Sequence, residues 1–492
     1  MNVVLVNPHH RFGKEVVRSQ RTVLPVGILA VATPVDEAGY KVKIIDQQIK
    51  PQWKRLLLAE LKKKPLCVGI TCMTGPQIWF ALEVSRIVKQ NGNIPVVWGG
   101  MHPSLLPNQT IENENVDIVV QGEGEETFLE LVQALGKGGS LDAVKGIWYK
   151  ENGQIKSNPP RPFIDLNAQP NLAYHLLDID EYIERKFGTI LLRTFTSRGC
   201  SYNCSFCYNT NFNRRKWRAL TAEETVKRLK KIKETYNVKG FIFNDDNFFG
   251  DINRSKEILE GIIREKVDII LWKLDIRPDT LFSLDDDFLR LLKRSGCRKL
   301  TIGLESGSER MLNFLKKKVT IAQILSNNKR LHTFGITPKY SFMVGCPTET
   351  REELEQTVAL IWRLLKDNPE LLKSVHIYTP LPGTELFDVA VEHGLQVPKR
   401  LEDWIPFSYR EVNLPWVSED RRKLIEMLHC CTILLEKNFF FNPTVSIHPF
   451  LRLLGRLYYP LARWRVKKLS YKFPVDIRLM ELIRLYRRQQ PA

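Results

Sequence analysis

The chain is 492 residues long, with 43% hydrophobic residues and 73 Lys+Arg against 55 Asp+Glu, a formal net charge of +18. That length exceeds one ordinary core and suggests several domains of roughly 150 residues each, and the composition excludes a disordered or low-complexity chain. No run of 18 or more apolar residues occurs, which argues against a membrane-spanning helix.

The opening MNVVLVNPHH goes directly into a β-branched run (VVLVN, residues 3–7) and lacks the layout of a secretory leader, so a cytoplasmic protein is expected. An apolar helix at residues 25–38 is closed by Gly39 and followed by strand KVKIID (41–46). A helix at 52–63, strand CVGITC (67–72), a helix at 78–90, strands VVWGG (96–100) and DIVVQG (117–122), and a helix from about 127 complete the series. Short apolar strands alternating with helices imply a parallel sheet covered on both faces. Residues 1–140 therefore read as a doubly wound, Rossmann-like α/β domain whose ligand lies beyond the carboxyl ends of its strands. Residues 141–188 read as a linker with a hairpin. GIWYKENGQIKSN turns at Asn152-Gly153, and SNPPRPFIDLNAQPN is rich in Pro and Asn. From Thr189 a second α/β series begins: TFTSRG (194–199), GFIFND (240–245), IILWKLD (269–275), KLTIGLE (299–305), KYSFMVG (339–345) and SVHIYTP (374–380). Strands each followed by a helix over residues 189–410 predict a partial (β/α)6 barrel with its active site at the carboxyl ends of the strands. Residues 411–492 read as a helical, basic region.

Three of the nine cysteines crowd into RGCSYNCSFCYN (198–209), and the other six are scattered. This is not a secreted disulfide framework; metal or cluster ligation in a reducing compartment fits better. Thiolates of Cys200, Cys204 and Cys207, spaced C-x3-C-x2-C, can wrap a cubane and leave its fourth iron without a protein ligand, open to S-adenosylmethionine (SAM). The competing readings are a zinc knuckle or a chance cluster. Zinc would want a fourth Cys or His nearby, and none lies within about 90 residues on the C-terminal side.

With aromatic Phe206 before its last cysteine, this segment resembles the radical SAM signature. NDDNFF (244–249), IGLESGSERML (302–312), FMVGCPTET (342–350) and YTPLPGTELFDVA (378–390) resemble segments of the subclass with an N-terminal cobalamin-binding domain. PVGILAVATPVDEAGYKVKIID (25–46), WGGMHPSLLP (98–107) and GEGEETF (122–128) look like that domain itself. The resemblance covers roughly residues 1–410 and points to the group containing the anaerobic magnesium-protoporphyrin ester cyclase, the hopanoid methylase and phosphonate methylases. It implies a [4Fe–4S] cluster on the three cysteines, SAM and cobalamin. Backbone around Phe206 would meet the SAM adenine. Asp245 and Asp246 would receive the SAM amino group or a substrate proton, Glu305 the ribose, and Gly345 would shape the turn that brings backbone near SAM. An N-cap with a solvated turn is the plainer reading of the Asp pair.

No D-x-H-x-x-G loop occurs, so cobalt would be bound without that histidine. Expected cobalamin contacts are Thr71, Met73, Thr74, Gly99, Gly100, His102, Gly122 and Glu123, where glycines let backbone approach a corrin. Of these, His102 reads more as a loop histidine than a ligand. A degenerate domain without a ligand is the alternative.

The implied activity is reductive cleavage of SAM to a 5′-deoxyadenosyl radical, with methyl transfer from cobalamin to an unactivated carbon. Its rivals are an oxidative cyclase or rearrangement enzyme of the same architecture, and a non-catalytic cobalamin- or cluster-binding sensor. Expected partners are a small-molecule or lipid-like substrate and an electron donor such as flavodoxin or ferredoxin; no nucleic acid is expected. Leu424, Ile425, Leu428, Cys431, Thr432 and Leu435 form one helical stripe that should pack on the barrel. Phe450, Leu453, Leu454, Leu457, Tyr458 and Leu461 form a second, flanked by Arg452, Arg456, Arg463, Arg465, Lys467 and Lys468. Residues 445–492 hold eleven Lys/Arg and two Asp/Glu. This tail reads either as a peripheral contact with an anionic membrane or as a helical lid with solvated charges.

Overall fold

The computed structural model describes residues 1–10, 23–186, 189–408, 412–435, 449–472 and 475, and comprises two compact units. The first unit contains Met1–Ile183, Leu381–Gly383 and Gln396–Asn413. Its sheet is built from β1 (Asn2–Asn7), β2 (Lys41–Asp46), β3 (Val68–Thr71), β4 (Val96–Gly99), β5 (Ile118–Val120), β6 (Ile147–Glu151) and β7 (Gln154–Ser157). Strands β2-β1-β3-β4-β5 are parallel in that order, and β6 and β7 extend the edge antiparallel. Val3, Val4, Leu5 and Val6 are all buried, as a strand covered on both faces requires. Helices Val26–Glu37, Trp53–Leu61, Gln77–Gln90 and Glu125–Lys137 join the strands, close to the expected bounds. The strand order reverses direction between β1 and β3, the switch point beside which such sheets bind ligands. The expected hairpin is present: Asn152 (φ 51) and Gly153 (φ 76) are both left-handed, the geometry a two-residue type I′ turn demands.

The second unit contains Glu184–Pro380, Thr384–Leu395 and Leu414–Ala492. Its strands are β8 (Glu184–Lys186), β9 (Thr189–Thr194), a small ribbon of β10 (Ser197–Arg198) and β11 (Arg218–Ala219), β12 (Gly240–Phe243), β13 (Ile270–Asp275), β14 (Lys299–Glu305), β15 (Thr337–Val344) and β16 (Leu372–Ile377). The main sheet runs β16-β15-β14-β13-β12-β9 in parallel, with β8 antiparallel at the edge. This is the expected six-stranded partial barrel. The first strand ends earlier than TFTSRG suggested, because the Thr196 amide donates to the Asp245 carboxylate instead of to a neighbouring strand. Thr221, Asp251, Asp285, Ser308, Thr320, Thr350 and Thr384 cap the helices that follow, two of them in reciprocal boxes with Gln323 and Glu353.

Helix Glu419–Leu434 buries Leu424, Ile425, Leu428, Cys431 and Thr432 and packs beside β16, as its stripe predicted. Helix Pro449–Lys468 behaves differently from the expected single stripe. Tyr458, Ala462, Arg465 and Val466 are buried, and Leu453, Leu457 and Leu461 face water. Residues 436–448 and most of 473–492 lie outside the described residues, so the rest of the basic tail is not placed. Among the described residues no helix is long and apolar enough to cross a membrane.

Candidate active site

The cysteine loop lies just after β9 and β10, at the carboxyl edge of the parallel sheet, and the carboxylates following β12 hold it there. Asp246 accepts hydrogen bonds from the Gly199 amide (2.8 Å) and the Tyr208 hydroxyl (2.5 Å). Asp245 accepts from the Thr196 amide (2.7 Å) and from the Thr196 and Ser197 hydroxyls (2.6 Å each). Gly199 has φ +82, and a Cβ there would lie 2.0 Å from the Lys216 carbonyl oxygen, so only glycine fits directly before Cys200. Farther along, the Ser205 amide donates to the Leu315 carbonyl (3.3 Å), and the Leu386 amide donates to Ser205 (2.8 Å).

Cys204 is buried, and Cys200 and Cys207 are partly exposed. Arg277 Nη1 donates to Cys204 Sγ at 3.0 Å. That guanidinium stacks 3.7 Å from the Tyr202 ring centroid and is fixed by Asp279 (3.0 and 3.1 Å) and the Lys317 carbonyl (2.6 Å). Burial pushes the Cys207 thiol up to about 12 and raises that of Cys200. Ligation at these positions therefore has to displace protons. Among the described residues no three His, Cys, Asp or Glu side chains converge on a single ion. A cubane does not require convergence, since it offers separate irons to separate thiolates. The soft three-thiol loop and its cationic donor suit that group.

Glu305 ends β14 in the left-handed region (φ 69), an expensive conformation for a residue with a side chain. Its Oε1 meets Lys317 Nζ at 3.2 Å, and the same ammonium lies 5.8 Å from the Phe206 ring centroid. Glu305, Lys317 and Phe206 thus form one cluster beside the cysteine loop. One expected SAM contact is engaged by the chain itself, and Gly345 shapes its turn as expected. The Asp245 carboxylate is buried and occupied by its own loop, so its place is structural. Gly345 gives its amide to Glu349 Oε2 (2.6 Å) and its carbonyl to the Trp416 indole (2.9 Å), so it shapes the turn. Sequence reasoning missed Arg277, Lys317 and Tyr208. A sharper reading of DIRPD after β13 would have found Arg277, a cation at a barrel strand end.

In the first unit the loops after β3, β4 and β5 meet. The Cys72 amide donates to the Gly99 carbonyl (2.8 Å), and the His102 amide to Cys72 (3.0 Å). Ser104 Oγ donates to the Gly100 carbonyl (2.6 Å) and accepts from the Gly122 amide (2.9 Å). Gly100 (φ 97) is forced: a Cβ would lie 2.9 Å from Thr71 Oγ1. Gly122 (φ 84) has open space where a Cβ would sit, and Met73 is 47% exposed. Glycine backbone and an exposed thioether at these strand ends are groups that suit a large flat ligand. His102 does not belong to that set. It is fully buried, bonded through Nδ1 to Thr74 Oγ1 (3.0 Å) and packed edge-on to Trp404 (5.8 Å), and burial lowers its pKa to about 3. Glu123 is also diverted, its Oε2 accepting from the Ile164 amide (3.0 Å). Trp404, which donates to Gln109 (2.6 Å), carried no signal, because its packing partners lie some 300 residues away.

A parallel half-barrel with a C-x3-C-x2-C loop at its carboxyl edge, on a chain that also carries a 2-1-3-4-5 sheet, is the architecture that the resemblance implies for an enzyme that cleaves SAM with a cluster and carries a second cofactor. The comparisons agree. The B12 binding domain family matches residues 16–132, and the Radical SAM superfamily residues 194–361. An uncharacterised methyltransferase of Pyrococcus horikoshii is 33% identical over 445 residues, covering 88% of this chain and 94% of that one. The cytidylyl-2-hydroxyethylphosphonate methyltransferase of Streptomyces wedmorensis is 24% identical over 462 residues, covering 82% and 85%. The radical SAM methyltransferase TsrM of Kitasatospora setae, solved with cobalamin and a [4Fe–4S] cluster, shares the fold. Its TM-score is 0.67 at 20% identity, over 81% of this chain and 80% of that one. The chain belongs to the family of cobalamin-dependent radical SAM methyltransferases, whose cofactors are a [4Fe–4S] cluster, SAM and cobalamin.

Proposed function

We propose that this enzyme methylates an unactivated carbon of a small-molecule substrate, drawing electrons from a flavodoxin or ferredoxin in the cytoplasm. The observation that carries the reading is the three-thiol loop, held by Asp246, Gly199 and Arg277 at the open edge of the half-barrel. When bound, the cluster supplies the electron that breaks the SAM carbon–sulfur bond, and cobalamin carries the methyl group. Cys200, Cys204 and Cys207 hold the cluster. Backbone at Phe206 and the Glu305 carboxylate, steadied by Lys317, orient the adenosine. Asp246, partly exposed, would accept from the SAM amino group while it holds Gly199 and Tyr208. In the first unit Thr71, Met73, Thr74, Gly99, Gly100 and Gly122 form the surface against the corrin.

The test is anaerobic reconstitution with cobalamin, SAM carrying a deuterated methyl group, a low-potential reductant and an extract of the source cell. Formation of both 5′-deoxyadenosine and S-adenosylhomocysteine, with label in a new product, is the expected result. Deoxyadenosine without S-adenosylhomocysteine would instead mark a cyclase or rearrangement enzyme.

A further inference from the structure

Helix Pro449–Lys468 carries two apolar faces, and the fold uses one. The used face consists of Tyr458, Ala462 and Val466, buried beside helix Glu419–Leu434, with Arg465 buried among them and donating to the Tyr458 hydroxyl (2.8 Å). The other face is open to water: Leu453 is 54% exposed, Leu457 69%, Leu461 41% and Trp464 53%. At 100° per residue these four side chains fall within about 80° of arc, one continuous stripe along the helix. Arg456, Arg463 and Lys467, all exposed, line the adjoining arc, and Lys468 closes the stripe at its end. The helix contains six Lys/Arg and no Asp or Glu. Large apolar side chains concentrated in an exposed stripe need an explanation, because a soluble surface scatters them singly.

We propose that this face docks the protein on an anionic lipid surface, with the helix lying in the interfacial plane. Leu453, Leu457, Leu461 and Trp464 would enter the acyl boundary, and the flanking cations would meet the headgroups. Charge selects this occupant. A second copy of the chain would bring another all-cationic helix against the first, and like charges repel at that distance. An anionic bilayer satisfies the apolar stripe and the cations together. A tryptophan at the end of the stripe suits the headgroup level, where an indole keeps its N–H wet and its ring apolar. The opposite face is fixed to the second unit, so the helix can lie on a membrane but not cross it. The inference stands apart from the methyltransferase reading, since it uses none of the cluster or cobalamin residues.

The test uses full-length protein sedimented with vesicles of phosphatidylcholine alone or mixed with phosphatidylglycerol. Binding to the mixed vesicles at low salt, little binding to the neutral ones, and weakening as salt rises are expected, because salt screens exposed charges beyond roughly 10 Å at 0.1 M. Leu457→Ser with Trp464→Ser should weaken binding more than ten-fold. Each cation contributes about five-fold near such a surface, so Arg456→Gln, Lys467→Gln and Lys468→Gln together should weaken it by about a hundred-fold. All five positions are exposed, and iron content after reconstitution confirms that each variant folds. Failure of the wild type to bind anionic vesicles at low salt overturns the proposal. So does undiminished binding by the Leu457/Trp464 variant. A concentration-dependent dimer that this variant abolishes, without vesicle binding, would assign the face to a second copy and also overturn it.

Discussion

The cysteine loop and the strand-end loops of the first unit are built on opposite principles. Around the cysteines nearly every side chain has a chemical task. Three soft thiols can meet iron, Arg277 donates to one of them, and Asp245 and Asp246 pin the loop from one strand end. In the first unit the side chains are mostly turned to the chain itself: His102 to Thr74 and Trp404, Glu123 to Ile164, Ser104 to Gly100. What remains for a corrin is backbone, glycine, the half-buried Thr71 and Thr74, and one exposed methionine. A cluster is held by bonds and needs particular atoms at particular places. A large flat cofactor is held by shape, and many sequences provide shape.

That contrast breaks most sharply at the thiols. Changing Cys200, Cys204 or Cys207 to Ala should abolish the cluster signal and SAM cleavage, where reconstituted wild type holds about four irons per chain. Cys297→Ala, which alters a fully buried thiol on the barrel, should keep its iron. Iron assay and EPR of the reduced protein with SAM decide it, and wild-type SAM cleavage in any of the three variants would refute the assignment. Next in size is Gly199→Ala. A left-handed Cβ driven against the Lys216 carbonyl should cost about 2–5 kcal/mol or move the cysteine loop. Denaturant unfolding and iron content should both fall; a variant matching wild type in both would mean that the loop relaxes freely.

How much was legible follows the same division. The three cysteines stand within eight residues, and a soft triad at that spacing has few other uses. The strand series was legible because runs such as VVLV (3–6) and GFIF (240–243) are buried on both faces and carry no polar side chain. Asp245 and Asp246 could not be told apart, because the carboxyl end of a strand does not say which of two adjacent carboxylates turns outward. The burial of one and the partial exposure of the other arise from the path of residues 194–199. The second apolar stripe failed for a related reason. Helical spacing groups Tyr458 with Leu457, but only packing on a neighbouring helix reveals that one faces inward and the other to water.

Arg277 sharpens the comparison on the cluster side. Its hydrogen bond reaches Cys204 from a buried, doubly anchored guanidinium. A reduced cluster carries one more negative charge than an oxidised one, so a cationic donor on its thiolate favours reduction. Arg277→Gln should therefore lower the midpoint potential, on the order of 50 mV for loss of one charge-assisted hydrogen bond. An EPR-monitored redox titration reads the shift independently of turnover. Arg277→Lys, which keeps the charge and loses the fork, should fall between. If all three proteins share one potential, the arginine is only a packing element of the loop.

The smallest expected effect lies in the first unit and concerns His102. Being fully buried behind Thr74 and Trp404, it should leave cobalt ligation untouched, so the visible spectrum of bound cobalamin should be the same in His102→Ala as in wild type. A changed ligation spectrum would show that the loop opens to bring the imidazole onto cobalt. Stability should report the histidine where the spectrum does not. Its pKa lies near 6.5 when unfolded and about 3 when folded, because burial opposes the charged form. Between those values the unfolded chain takes up the proton first. The contribution of neutral His102 is thus complete above pH ~6.5 and lost as pH falls, at up to ~1.4 kcal/mol per pH unit. Urea unfolding of wild type and His102→Gln from pH 7.5 downward should show the wild type losing stability faster below pH ~6.5. Parallel pH profiles would mean that His102 is solvated in the working protein, and a solvated imidazole at this strand end would again be a candidate for the metal.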